Sequence, residues 1–398
     1  MSKIDLTRCF VLFALSVVPF LPGSFRAIAQ DAGSAILVSP PIHTKGNAQP
    51  ATVGLTPSQV RRAYGFDLIP NHGAGQTIAV VEAFGDPQIE KDLATFDQTF
   101  NLPPCTTSNG CLRIVTTTGN NLKTSQLWSL ETSLDVEWAH AIAPDAQILV
   151  VESPDAVLTD MLQAVDFAVT QGATVVSMSW GGMEFPGETA LDAHFSVGAA
   201  QHVSFVAAAG DFGSGVIYPA ASPYVLAVGG TTLSLKDTQG TYSRETAWSG
   251  SGGGISTAEP EPDYQSAFPI PFRGRGNPDV AYNANPDTGF SVFATHKDGF
   301  QGFNGWVQVG GTSAGAPQWA AFLAIARSMG FSPASPGATN SAIYSAGKGK
   351  ASYSTNFHDI VTGSNGTCGV VCTALSGYDY ITGIGSPQAQ NLAKALQP

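Results

Sequence analysis

Basic residues are scarce in this chain of 398: Lys and Arg number 18 against 30 Asp and Glu, a net charge of −12 at pH 7 with histidine neutral. Phosphate backbones are bound by clustered cations, so this balance speaks against a nucleic-acid partner. Charged residues of both signs make up only 12% of the sequence. Such a low density suits work in acid, where an excess of Lys and Arg would leave the surface strongly cationic. Long apolar runs are also rare. The exception is CFVLFALSVVPFLP at residues 9–22, and nothing after it is long and apolar enough to span a bilayer, so no membrane partner is expected.

That one run has the marks of an export leader. Lys3 and Arg8 precede it, and Ala27-Ile28-Ala29 forms a small-x-small cleavage site before Gln30, so residues 1–29 are expected to be removed. Cys9 stands in front of the run rather than behind it, which argues against a lipid-anchored start. The expected product is secreted, extracellular or periplasmic. Of only five cysteines, four then remain: Cys105, Cys111, Cys368 and Cys372. In an oxidising compartment they are expected to pair. Three connectivities exist, and short separations favour Cys105 with Cys111 and Cys368 with Cys372. Zinc is the weaker reading because no histidine accompanies either pair in sequence.

What the chain does hold is glycine, 44 residues, and a 43% hydrophobic content, which together suit a sizeable core with many tight loops. Residues 30–53 are polar, small and proline-dotted, and read as a linker or short arm; the globular part begins at LTPSQVRRAYGFD. Apolar runs TIAVVEAF, LRIVT, AQILVVE, ATVVSMSW and VSFVAAAG then alternate with helical patterns near 87–100, 127–142, 156–170 and 188–201. Short all-apolar strands separated by helices predict an α/β fold, a mostly parallel central sheet with helices on both faces. Functional residues in such sheets collect at the carboxyl ends of the strands. The Gly-, Pro- and Ser-rich stretch 248–304 reads as long surface loops and hairpins, and helical periodicity returns in SAGAPQWAAFLAIARSMG.

Ser313 lies in GGTSAGAP, a setting almost without side chains, where a helix is expected to open. Its hydroxyl would then project where backbone N–H groups and the positive helix end converge. The plainer reading is a helix cap. A nucleophilic serine needs a base, usually histidine, yet none of the seven histidines stands in a catalytic sequence context. SLETSLDVEWAHAIAP offers Glu131 and Asp135 instead, four residues apart and so on one helical face. Most such pairs are solvated acids. Leu130, Leu134 and Val136 flank these, however, so partial burial is expected to raise one carboxyl pKa and fit it to act as a base. Asp211, in FVAAAGDFGSG, reads either as a turn former or, when protonated, as a hydrogen-bond donor to an oxyanion.

Glu131 and Asp135, then Asp211, then Ser313 come in an order that resembles the sedolisins, the serine-carboxyl peptidases, kumamolisin-like members above all. The likeness runs from about Leu55 to the C-terminus through VVSMSWGG, YPAASPYVLAVGGTTL, ETAWSGSGGGIS, GNPDVAYNANPDTG, GGTSAGAP and FHDIVTG followed by GYDYITGIGSP. The resemblance implies a subtilisin-like α/β fold in which glutamate replaces histidine. Ser313 would be the nucleophile, Glu131 its general base and then acid, Asp135 the residue that orients and tunes Glu131, and Asp211 the oxyanion stabiliser together with the Ser313 N–H. It also implies an extended proton network through Glu82 and Trp180. One Ca2+ ion would be held by Asp359, Asp379 and the carbonyls of Ile360, Leu375 and Gly377, hard oxygen donors that calcium prefers. Cys368 and Cys372 fall inside that loop.

The resulting expectation is a secreted, monomeric endopeptidase acting on polypeptides in acid, since a carboxylate of pKa about 4 replaces an imidazole of about 6.5. An exopeptidase is the near variant, and a catalytically inactive peptidase-like binding or adhesion module is the alternative from another class. A Ser-His-Asp hydrolase using His140 or His202 is a third, weaker reading. The expected organisation is a leader over 1–29, a linker or short arm over 30–54 in place of a full prodomain, and a peptidase domain over 55–398 with its C-terminal calcium site.

Overall fold

A computed structural model describes residues 35–119, 122–270, 273–296 and 303–398; the expected leader lies outside them. Ile36–Pro398 form one compact unit. Its centre is an eight-stranded sheet. Across it run Tyr242–Ala247, Val225–Leu235, Ser204–Ala208, Val175–Met178, Thr77–Ala83, Gln147–Ser153 and Leu112–Thr116, with Val280–Asn283 also paired to Val225–Leu235. All the pairings are parallel except that of the edge strand Tyr242–Ala247. The α/β expectation is thus borne out.

Alternation along the strands assigns each side chain to one of two cores. In Thr77–Ala83, Ile78 and Val80 join helices Gln126–Ile142 and Gly315–Ser328 on one face, while Ala79 and Val81 join helix Leu158–Thr170 on the other. Glu82, in step with Ile78 and Val80, is therefore sent toward the Gln126–Ile142 helix. That helix is buried all round from Trp128 to Ile142, as expected of a central helix rather than a surface one. Helix Gly315–Ser328, the sheet and strand Phe290–Thr295 all pack on it. The partly wet face expected for Glu131 and Asp135 does not exist: both carboxyls are inside the protein.

Two other expectations need correction. The pattern near 188–201 is a 3-10 turn, Glu188–Asp192, followed by helix Ala193–Ala200. The stretch 248–304 does enter a hairpin, Phe290–Thr295 with Asn304–Gly310, as expected, but about half of its described residues are interior: it also supplies a sheet strand and a fully buried Arg275–Asp279 ion pair. Glycine here marks close packing of backbones. Gly253 sits at φ +156°, and a Cβ on it would run into the Tyr380 carbonyl.

The two disulfides join Cys105 to Cys111 and Cys368 to Cys372. Residues 36–55 lie along the domain, with Leu37 bridged to Val157, Ser39 to Gly181, His43–Thr44 paired with strand Asn304–Gly310, and Leu55 bridged to Phe290.

Candidate active site

Strand Asn304–Gly310 ends at Gly311, whose φ of +114° favours glycine, and the chain turns through a 3-10 segment, Thr312–Ala314, into helix Gly315–Ser328. Ser313 therefore sits just ahead of the helix rather than at its first residue. The bareness of its neighbours has specific causes. A Cβ on Gly315 would lie 2.7 Å from Val228 Cγ1, so glycine lets the helix rest on the sheet. A Cβ on Gly311 would strike the Pro41 carbonyl and lie 2.6 Å from Asp211 Oδ2.

Three neighbouring sheet strands and the central helix converge on this serine. Ser179, just beyond strand Val175–Met178, places its hydroxyl 2.8 Å from each Asp135 oxygen and 3.2 Å from the Ser313 carbonyl. The Ser313 hydroxyl is 3.5 Å from the Ser179 carbonyl. Glu131 is fully buried one helical turn before Asp135. Its oxygens make no hydrogen bond of good geometry, yet the Ser313 and Ser179 hydroxyls are near enough to favour its charged form. Such contacts commonly tighten only when substrate binds.

Electrostatically the site is a row of buried acids. Burial, reinforced by the Asp135 and Asp211 charges, holds Glu131 well above the usual carboxylate range. Burial pushes Asp135 up to about 8, opposed first by the hydrogen bond from the Ser179 hydroxyl and then by the nearby Glu82, Glu131 and Ser177 groups. Glu82 is likewise held well up, by burial and then by Asp135 and Glu131. Carboxyls so coupled titrate as a unit and take on a first negative charge long before a third. Glu82 thus lies close enough to Asp135 and Glu131 to couple with them. The Trp180 indole N–H instead donates to the Val81 carbonyl at 2.9 Å.

Asp211 follows strand Ser204–Ala208 by three residues. Its Oδ1 accepts from the Thr312 N–H and hydroxyl, each at 2.8 Å, and its Oδ2 is 3.2 Å from His43 Nε2. Burial raises its pKa, opposed by His43 and Thr312. Sequence reasoning missed His43, which it left in the linker, because nothing local announces a pairing with strand Asn304–Gly310. It also missed Ser179, although a polar residue directly after a buried strand was a usable signal. The other histidines offered as bases are engaged elsewhere: His140 Nε2 contacts the Pro103 carbonyl at 2.9 Å and Asp97 at 3.4 Å, and His202 Nδ1 the Pro333 carbonyl at 3.0 Å. The His140 ring does approach Cys105 and Cys111, but their sulfurs are spent in a disulfide.

The model of the subtilase family matches residues 114–356 of the sequence. The chain belongs to the subtilase family. Among curated relatives, it is 36% identical to kumamolisin from Bacillus sp. (strain MN-32) over 87% of this chain and 64% of the relative. It is 28% identical to sedolisin from Pseudomonas sp. (strain 101) over 86% of this chain and 61% of the relative. It therefore spans a little over three fifths of the length of these two. Among solved structures, Pseudomonas sedolisin (serine-carboxyl proteinase) complexed with two molecules of pseudo-iodotyrostatin superposes with a TM-score of 0.72 at 27% identity, covering 88% of this chain and 98% of that one. The sedolisin resemblance and the subtilisin-like fold are both borne out.

In this subtilase the residues expected to hold calcium cluster in one loop. Asp359 accepts from the Gly377 N–H at 3.1 Å, the Tyr353 hydroxyl at 3.0 Å and the Ser376 hydroxyl at 2.9 Å. Asp379 accepts from the N–H groups of Ile381 and Thr382 at 2.8 and 2.9 Å and of Leu375 at 3.3 Å. Burial pushes Asp379 up to about 6. The two carboxylates thus bracket the 375–379 turn that carries two of the three carbonyls, and an all-oxygen set of this kind fits Ca2+. Among the described residues no helix is long and apolar enough to cross a membrane.

Proposed function

We propose that the chain is a secreted serine-carboxyl endopeptidase that hydrolyses peptide bonds in acid through an acyl-enzyme on Ser313. The observation that carries this reading is the row Ser313, Glu131, Asp135 and Glu82, buried side by side with no histidine bonded to the serine among the described residues. Ser313 attacks the scissile carbonyl and Glu131 takes its proton, later returning it to the leaving amine. Asp135, held by Ser179, fixes Glu131 and shares its charge. Asp211 in its protonated form, with the Ser313 N–H, donates to the oxyanion.

The role of Asp211 makes acid a requirement, because a carboxylate would repel the oxyanion it faces. The burial that raises the pKa of Asp211 keeps it protonated further up the pH scale. Asp359, Asp379 and the carbonyls of Ile360, Leu375 and Gly377 would hold a Ca2+ ion that supplies structural cross-linking of the C-terminal loop. The solved relative, a serine-carboxyl proteinase by its title, favours hydrolysis over the inactive binding module.

The test is cleavage of casein and a peptide library across pH, with product sequencing. Hydrolysis that peaks below neutrality, yields internal fragments and disappears in folded Ser313→Ala and Glu131→Gln variants is expected. An optimum above neutral pH, or activity surviving in Ser313→Ala, would overturn the mechanism.

A further inference from the structure

The Cys105–Cys111 disulfide closes a small loop beside helix Gln126–Ile142, and a third side chain meets it there. One ring nitrogen of His140 and the two sulfurs all lie within 4.8 Å of one another. Among the described residues, no other three His, Cys, Asp or Glu side chains bring their ligand atoms so close together. Cys105 and His140 are fully buried, and Cys111 is partly exposed.

The imidazole is set as a ligand would be. Its Nε2 stands 2.9 Å from the Pro103 carbonyl and 3.4 Å from Asp97 Oδ1. A carbonyl only accepts, so Nε2 carries the proton and Nδ1 is left as a bare lone pair. That nitrogen is buried without a hydrogen-bond partner, which is costly in the interior. Metal-bound histidines are held in this way, one ring nitrogen on the ion and the other N–H on a carbonyl or carboxylate.

The loop is also held by more than its disulfide. Asp97 Oδ2 accepts from the Cys105 N–H at 3.0 Å, and Asn109 Oδ1 from the N–H groups of Thr106 and Cys111 at 3.1 and 3.0 Å. The Cys111 carbonyl accepts from the Ile148 N–H, on the central sheet, at 2.8 Å. Opening the S–S bond therefore leaves both sulfurs beside the imidazole. In a tetrahedral zinc site, with Zn–S about 2.3 Å and Zn–N about 2.0 Å, such ligand atoms stand roughly 3.5–3.8 Å apart, within the spacing found here. Two thiolates and one nitrogen suit Zn2+ rather than Ca2+ or Mg2+, which take oxygen.

We propose that the reduced chain carries a zinc site made of Cys105, Cys111 and His140, and that disulfide and metal are alternative occupants of one position. In the exchange, a dithiol delivers two electrons and two protons, closes into its own disulfide and breaks the Cys105–Cys111 bond. Zn2+ then binds the two sulfurs and Nδ1, and both thiol protons leave to solvent. Partly exposed Cys111 is the sulfur that the dithiol reaches, and water entering on that side completes the tetrahedron. The disulfide ties the loop only to itself. The metal ties it to His140, on the helix that carries Glu131 and Asp135.

The test uses full-length Ser313→Ala chain, so that self-digestion cannot interfere, near neutral pH with Co2+ as the probe and a phosphine as reductant. Expected are no sulfur-bound Co2+ in the oxidised chain and one per chain after reduction, with the intense visible bands of a tetrahedral thiolate site, bleached by Zn2+. The bands should persist in Cys368→Ser/Cys372→Ser, and affinity should fall at least about tenfold in His140→Ala. Since His140 is buried and its replacement can disturb folding, labelling of the reduced chain by iodoacetamide is read in parallel by peptide mass. Zn2+ should slow labelling of Cys111 at least about tenfold and leave that of exposed Cys368 unchanged. Sulfur-bound Co2+ in the oxidised chain, none in the reduced chain, full affinity in folded His140→Ala, or Cys111 labelling that Zn2+ does not slow would each overturn the proposal.

Discussion

His43 Nε2 stands 3.2 Å from Asp211 Oδ2, a half-exposed imidazole against a buried carboxyl. Each partner favours the charged form of the other: the hydrogen bond to Asp211 raises the His43 pKa, and His43 opposes the upward push of burial on Asp211. In the proposed mechanism Asp211 would stabilise an oxyanion only while protonated, so His43 would work against catalysis as the pH rises. Replacing it with alanine removes that opposition. The alkaline limb of the kcat/KM profile is expected to move to higher pH in His43→Ala, and a limb that stays in place or moves toward acid would contradict this coupling. Asp211→Ala, which removes the donor altogether, should cost about 10²- to 10³-fold in kcat.

Stability should depend on pH in the direction opposite to that of proteins held by salt-bridged carboxylates. Burial pushes Asp86 and Glu188 up to about 7 and Asp135 and Glu259 up to about 8. Folded-state values above the unfolded ones mean that these groups stabilise fully below about pH 4 and that this contribution is lost as the pH rises through 7 to 8. The melting temperature of Ser313→Ala protein, which cannot digest itself, is therefore expected to be highest in acid. It should fall by at least about 5 °C by pH 8. A maximum near neutrality would show that the burial penalty has been misassigned.

The candidate site was readable in sequence to the extent that its residues sit on strongly patterned elements. Ser313 followed from a run of small residues before a helix, and Glu131 and Asp135 from helical spacing. Their depth did not follow, because a helix covered on every side differs from an amphipathic one only through neighbours distant in sequence. The same limit applies to the arm. Nothing in residues 36–44 announces that a strand ending at Gly310 will capture them, so His43 and Pro41 had no sequence signal. Trp180 was assigned to the proton network by resemblance, and the geometry instead ties its N–H to the Val81 carbonyl. The stretch 248–304 misled for a different reason: glycine was read as exposure, whereas at Gly253 it permits close burial.

Calcium should act on stability and leave the chemistry alone. Asp359 and Asp379 bracket the 375–379 turn, far in sequence from Ser313, and the Cys368–Cys372 disulfide lies between the two aspartates in sequence. Saturating Ca2+ at about 100 times its Kd is worth about 2.7 kcal/mol. In Ser313→Ala protein, the melting temperature is expected to rise on adding Ca2+ and fall with chelator, with no such response in Ser313→Ala/Asp379→Ala. Calorimetric titration should give one ion per chain for the first protein and none for the second. An equal calcium response in both would place the ion elsewhere.

The Arg275–Asp279 pair sets the last expectation. Both side chains are wholly buried, and the guanidinium meets the carboxylate with two parallel contacts of 2.7 Å. The Ala227 N–H at 2.8 Å and the Tyr344 hydroxyl at 2.9 Å use the remaining lone pairs of Asp279. A pair this well satisfied ties strand Val225–Leu235, which also flanks the Asp211 strand, to the segment entering Val280–Asn283. Asp279→Ala leaves an uncompensated buried cation and two orphaned donors, and should cost about 3–5 kcal/mol in urea unfolding. Arg275→Lys keeps a charge but loses the planar fork, so its cost should be smaller, about 1–3 kcal/mol. Equal losses for the two would mean that only charge matters here. The reverse order would mean that the fork, rather than the carboxylate on which six donors converge, carries the junction.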